Sequence, residues 1–211
     1  MSKVKEIAAA VEGGKVKLIE GLVQEAIDAG ENPNDILDEG MVAAMGSIGA
    51  KFQANEVFVP EMLVAAKTMK KGVEVLRPHL ASGSLGKLGK YIIGTVAGDL
   101  HDIGKNLVAL MVESAGFEVI DLGVDVPPEK FVDALNENPD CKIVGASALL
   151  TTTMDALKNT VEAIHAGGYK GKVIVMVGGA PVTQDFADQI GADAYTPDAG
   201  SAATKAIELV S

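Results

Sequence analysis

Tryptophan is absent from this chain, which has only three tyrosines, five phenylalanines and one cysteine in 211 residues. A single cysteine excludes an internal disulfide. Cys141 stands at the mouth of the apolar run Lys142-Ile143-Val144-Gly145-Ala146, which suits a reduced structural thiol and leads us to expect a cytoplasmic protein. Positive charge is also scarce: 18 lysines and arginines face 29 aspartates and glutamates, a formal net charge of -11. That balance opposes the electrostatics of nucleic-acid or anionic-membrane binding, so neither partner is expected. No apolar run approaches the roughly 20 residues a bilayer span needs, and Met1-Ser2-Lys3-Val4-Lys5-Glu6 lacks the apolar core of a signal peptide. There is no phosphate loop of the P-loop type and no nucleophile beside an activating base. What abounds is alanine, glycine and valine, with 48% of residues hydrophobic, enough for a core in one domain or two.

Up to about Ala81 the pattern is helical throughout, punctuated at Gly13-Gly14, Gly30 to Pro33 and Asn55 to Pro60. Four helices fit between those marks. The second spans about 15–29, with Gly30 free to supply a left-handed end. The third starts at Asn32-Pro33, a polar cap followed by proline at the first helical position, and shows an apolar face from Ile36 to Ile48. The fourth runs from Pro60 to the break at Pro78. Residues 82–89, rich in glycine and serine, read as a linker.

After the linker the period changes. Short β-branched runs near 90–97, 118–122, 142–147, 173–177 and 192–195 each precede a helical segment, the helices opening at Lys105, Pro127-Pro128, Thr152-Thr153, Pro181 and Asp198. Such alternation predicts a doubly wound domain with a five-stranded parallel sheet, in the flavodoxin-like (Rossmann-type) order 2-1-3-4-5. Ligands in such sheets bind beyond the carboxyl ends of the strands, where the order reverses. The first strand ends there in Gly98-Asp99-Leu100-His101-Asp102-Ile103-Gly104.

A histidine between two carboxylates is a candidate metal ligand, because a ligating imidazole usually gives its second ring proton to a carboxylate. Asp99 is two residues away, and Gly104 leaves the backbone bare where a large ligand would press. One histidine is too few for a zinc or non-haem iron site, since His79 and His165 lie elsewhere. The metal would have to bring its own ring of ligands. Haem is one option; a flat cofactor with a long polar tail, such as cobalamin, better suits the glycine-rich far edge.

Asp99-x-His101-x-x-Gly104, Ser147-x-Leu149 and Gly178-Gly179, in that order and each at a strand end, resemble the signature of cobalamin-binding domains that take a histidine as lower cobalt ligand. Residues 1–81 resemble the helical cap of methionine synthase and of the corrinoid methyl carriers in methanol, methylamine and O-demethylase systems. The resemblance implies a cap (1–81), a linker (82–89) and a cobalamin-binding domain (90–211). It implies that His101 binds cobalt, that Asp99 and Thr153 form a relay behind it, and that Gly98, Asp102, Ile103, Gly104 and Leu149 lie under the corrin. Thr153 stands where methionine synthase has a serine. Ser147, Thr151, Gly178, Gly179 and Ala199 would receive the nucleotide tail or the corrin side chains. Phe52, Val59 and Met62 would cover the upper face, although Met62 reads equally as bundle core.

By the same resemblance the chain is a methyl-carrier subunit and not a complete enzyme. Its cobalt would cycle between Co(I) and methyl-Co(III) as a methyl group passes from a substrate-specific methyltransferase to an acceptor methyltransferase using folate or a thiol. A reductive activation protein would be a third partner. The donor stays open between methanol, methylamines, quaternary amines and methoxylated aromatics. A cobalamin sensor, a mutase small subunit and a cofactor-free response-regulator-like protein are the alternatives.

Overall fold

A computed structural model describes residues 2–80 and 88–210. The chain divides into two compact units, the second beginning at Leu88.

The first unit is helical, with α1 (Lys3–Glu12), α2 (Ile19–Asp28), α3 (Pro33–Asp35), α4 (Ala43–Gln53) and α5 (Val59–Leu76). Local chemistry sets its ends. Gly30 stops α2 at φ +82°, and the Asn32 side chain accepts the Asn34 N–H at 2.9 Å with Pro33 in the first turn of α3. Helix α3 runs on through a π-helical stretch, Ile36–Val42, into α4, so the third predicted helix extends beyond Ile48 to Gln53. Gly40 lies in that wider stretch, where a Cβ would come within 3.2 Å of Ile7 Cγ2 and 3.4 Å of the Val4 carbonyl. Its bare backbone lets α1 pack close. Ile7, Ile19, Ile36, Met41, Met62 and Leu76 are fully buried and form the centre of this unit.

The second unit alternates β1 (Lys90–Thr95), α6 (Ile103–Ser114), β2 (Glu118–Asp121), α7 (Pro128–Glu137), β3 (Cys141–Ser147), α8 (Met154–Ile164), β4 (Ile174–Gly178), α9 (Gln184–Ile190), β5 (Ala194–Tyr195) and α10 (Ala199–Val210). Its five strands are parallel in the order β2-β1-β3-β4-β5, as the alternation predicts. Ile92, Val96, Val144, Val175 and Val177 pack on one face with Phe131, Leu157, Val161 and Ile164. Two strand glycines make room for large side chains. A Cβ on Gly94 would sit 2.8 Å from Phe131 Cζ, and one on Gly145 2.6 Å from the Tyr91 hydroxyl, on the opposite face. Helix α9 begins at Gln184, later than Pro181, because the Thr183 hydroxyl caps it by accepting the Phe186 N–H at 3.2 Å.

Of the linker expected at 82–89, residues 82–87 lie outside the described residues. Gly89 sits at φ +105°, where a Cβ would meet Lys142 Cγ at 2.6 Å. Among the described residues no helix is long and apolar enough to cross a membrane.

Candidate functional site

The paired residues Thr95 and Ser147 end β1 and β3, the two strands between which the sheet reverses its order. Beyond β1 the chain turns sharply. Gly98 takes φ +79°, and its N–H donates to the Asp125 carboxylate at 2.7 Å. Asp125, itself at φ +53°, returns its own N–H to the Asp99 carbonyl at 2.9 Å. Helix α6 starts four residues after Asp99, so the polar turn is pinned at both ends.

Asp99 is the buried centre of the site, with 0% of its surface exposed. Its Oδ1 accepts the His101 backbone N–H at 3.1 Å and faces His101 Nδ1 at 2.7 Å. Its Oδ2 accepts the N–H groups of Leu149 at 2.7 Å and Leu150 at 3.3 Å, and the Thr153 hydroxyl at 2.9 Å. Burial works to raise this carboxyl's pKa. The donors from Leu149, His101 and Thr153 overcome it and hold the group well below the usual carboxylate range.

An ionised carboxylate can only accept, so His101 Nδ1 carries the proton and Nε2 of the neutral ring keeps its lone pair. The His101 side chain is half exposed. The same turn and the loop that meets it carry large apolar side chains open to solvent: Leu100 and Ile103 on the turn and α6, Leu149 and Leu150 on the loop after β3. A Cβ added at Gly104 would meet nothing within 4 Å. The arrangement is a fixed, basic nitrogen set among exposed apolar groups beside bare backbone.

Other predicted residues take varied places. Asp102 turns away from the imidazole and accepts the Asn106 side-chain amide at 3.1 Å. Thr151 is exposed at the start of a short 3-10 turn leading into α8, and Thr153 is buried at its end. Gly179 takes φ +128° against the loop after β3, where a Cβ would lie 1.8 Å from the Ala148 carbonyl; Gly178 faces the Thr196 carbonyl, 3.2 Å from a Cβ built there. Ala199 is buried at the start of α10. These glycines bring the ends of β3, β4 and β5 closer than side chains would allow.

In the helical unit Phe52 and Val59 are partly buried and Met62 is fully buried in the bundle core. Phe58, not singled out from the sequence, is 63% exposed, and Leu63 and Val64 are exposed beside it in the chain. Sequence reasoning also passed over Thr95, whose hydroxyl donates to the His101 carbonyl at 2.9 Å, and Asp125. A polar residue ending an otherwise apolar strand was the available signal for Thr95. Lys105, at the expected opening of a helix, is 4% exposed and bonds Asp121, at the end of β2, and Asn106 Oδ1.

Comparison with known proteins finds the description "B12 binding domain" twice, for a family matching residues 89–207 and for another matching residues 4–77. The chain is 42% identical over 210 residues to the dimethylamine corrinoid protein of Methanosarcina barkeri, covering 98% of this chain and 97% of that one. It is 43% identical over 188 residues to trimethylamine corrinoid protein 1 of Methanosarcina mazei, covering 88% and 85%. Among solved structures, the methanol:cobalamin methyltransferase complex of Methanosarcina barkeri contains a chain that superposes with a TM-score of 0.88 at 29% identity, covering 99% of this chain and 79% of that one.

Proposed function

The chain belongs to the family of B12-binding corrinoid proteins, and from that premise we propose that it carries a methyl group on a bound corrinoid between a substrate methyltransferase and an acceptor methyltransferase. The observation that carries the reading is the His101 imidazole, oriented by a buried anionic Asp99 and set among exposed Leu100, Ile103, Leu149 and Leu150. Among the described residues no group of three or more histidine, cysteine or acidic side chains could hold a metal. A single imidazole in an apolar collar fits a metal that arrives within its own flat macrocycle.

A bound corrinoid would supply the methyl-transfer chemistry. The protein supplies position and a proton site. His101 would hold the cobalt through Nε2, with Asp99 and Thr153 fixing its tautomer. Whenever Nε2 is not engaged it is the atom that takes up a proton. Asp99 is held too acidic to compete, and the resulting imidazolium stays paired with it.

In this reading Gly98, Asp102, Ile103, Gly104 and Leu149 would contact the corrin. Ser147, Gly178, Gly179 and Ala199 would line the place of its nucleotide tail, and Thr151 would lie beside the corrin or its side chains. Residues 1–81 are the cap, 82–89 the linker and 90–211 the cofactor domain. Within the helical unit Phe52 and Val59 are partly buried, and Met62 holds the bundle together. The donor is a methylamine, supported by the methylamine corrinoid proteins it resembles over nearly their whole length. The acceptor enzyme uses folate or a thiol, and a reductive activation protein restores oxidised cofactor.

Loading the protein with hydroxocobalamin tests this directly. Retention of cobalt and nitrogen splitting in the EPR spectrum of the Co(II) form are expected, the splitting being lost in His101→Ala. Failure to retain cobalt refutes the carrier function. An unchanged His101→Ala spectrum refutes only the ligand assignment.

A further inference from the structure

Thr95 is 1% exposed and its hydroxyl has two neighbours: the His101 carbonyl at 2.9 Å and the Ser147 hydroxyl at 3.0 Å. A threonine hydroxyl has one proton. The carbonyl can only accept, so in this arrangement Thr95 gives its proton to His101 and Ser147 must donate to Thr95. Ser147, partly exposed, then presents only lone pairs to anything beyond it.

Consider next a ligand that needs a proton from Ser147, such as an unprotonated ring nitrogen of a nucleotide base. Ser147 can donate outward only if Thr95 turns its proton toward Ser147, and the His101 carbonyl then loses its donor. The buried Thr95 hydroxyl has no second proton to offer the carbonyl in its place. Two discrete hydrogen-bond orders thus exist. They meet at the paired residues that end β1 and β3, where a ligand of a doubly wound sheet is expected.

We propose that Thr95 is a positioning residue whose single hydroxyl proton couples occupation of the Ser147 side of the site by a hydrogen-bond-accepting base to the main chain of His101. The inference rests on the corrinoid reading and adds to it. The tail is a signal to the lower ligand as well as an anchor. An accepting base loosens the histidine turn; a cofactor without the base leaves Thr95 on the carbonyl and the imidazole firmly presented.

The test compares cobalamin with cobinamide, which has the corrin but no nucleotide tail, in the full chain. The Co(II) forms are titrated with acid, and loss of nitrogen splitting by EPR gives the midpoint for histidine release. In the unaltered protein the cobinamide midpoint should lie about 0.5 to 1 pH unit lower, a three- to tenfold tighter ligation, the size of one neutral hydrogen bond. Thr95→Val should abolish that offset and Thr95→Ser restore it. Ser147→Ala should abolish it from the other side, leaving both midpoints at the lower value.

A residue that only supports the fold would shift both cofactors equally and leave the offset in place. An offset absent from the unaltered protein, or one that survives in Thr95→Val or in Ser147→Ala, overturns the coupling while the corrinoid reading stands. If the unaltered protein retains neither cofactor, the corrinoid reading itself falls; if it retains them without a nitrogen ligand, only the ligand assignment of His101 falls; either outcome takes the coupling with it. Thermal melting of each apo variant identifies any that do not fold, and Ser147→Ala then decides alone.

Discussion

Replacing Asp99 by asparagine keeps the side chain's shape and removes its charge. The native carboxylate needs no proton of its own, because every contact it makes is with a donor: the His101 N–H and Nδ1 on one oxygen, the Leu149 and Leu150 N–H groups and the Thr153 hydroxyl on the other. An asparagine has one accepting end and one donating end. With its oxygen toward Leu149, its amide protons face the His101 backbone N–H and force Nδ1 to accept. The ring proton then moves to Nε2, and the lone pair offered to cobalt is lost. Turned the other way, the amide protons confront the Leu149 N–H, whose native bond is 2.7 Å. Losing a charge-assisted bond costs about 1.5–3 kcal/mol and stranding a buried donor about 1–3 kcal/mol, with overlap between the two. A combined effect of about 3 kcal/mol weakens histidine ligation roughly a hundredfold, at the upper end of what outer partners of metal ligands contribute. The assay is the fraction of nitrogen-ligated Co(II) in the EPR spectrum of the reconstituted protein near neutral pH, with circular dichroism confirming the fold. Ligation within twofold of the unaltered protein would refute the reasoning.

The pH dependence of folding follows from the same carboxylate. Its pKa is depressed in the folded state, so its stabilisation is complete above the ordinary aspartate value and is lost as pH falls through the lower folded value. Urea midpoints of the unaltered apo protein and Asp99→Asn should therefore differ most above about pH 4 and converge in stronger acid; parallel curves would count against it. Gly179→Ala places a Cβ 1.8 Å from the Ala148 carbonyl and at φ +128°, so differential scanning calorimetry should show a loss of at least about 2 kcal/mol. Met62→Ala empties a fully buried position and should cost about 2–5 kcal/mol. Phe58→Ala should change stability by less than about 0.5 kcal/mol. Urea denaturation checks this, and a clearly larger loss would count against the exposure of its ring. Lys105→Met strands Asp121 but leaves it partly in water. The expected loss is about 1–3 kcal/mol in chemical denaturation, below the full cost of breaking a wholly buried pair.

Much of the architecture was legible in the chain because it is written in short-range patterns. Asn32-Pro33 and Gly30 delimit helices through contacts within four residues, and the alternation of β-branched runs with helical segments leads to one parallel sheet order. The stretch Asp99-x-His101-x-x-Gly104 falls at a strand end by pattern alone, and the ring of His101 does meet Asp99. The end of the third helix was missed because apolar periodicity fades after Ile48 while backbone hydrogen bonding continues to Gln53. Helix α5 was harder still. Val59, Met62, Leu63, Val64, Ala65 and Ala66 are all apolar, so periodicity alone does not choose which of them packing buries.

What the sequence by itself determined was the set of local instructions: where helices start and stop, which runs are strands, and which turn carries the histidine beside its carboxylate. Tertiary structure decided which groups meet that carboxylate from afar. The Leu149 and Leu150 amides, the Thr153 hydroxyl, the Asp125 clamp and the Thr95–Ser147 pair are brought in by strand register and by the loops that register positions. The physical reason is range. Caps and periodicities act over one or two turns of chain, whereas a buried carboxylate collects donors from segments about fifty residues apart only after the sheet has aligned them.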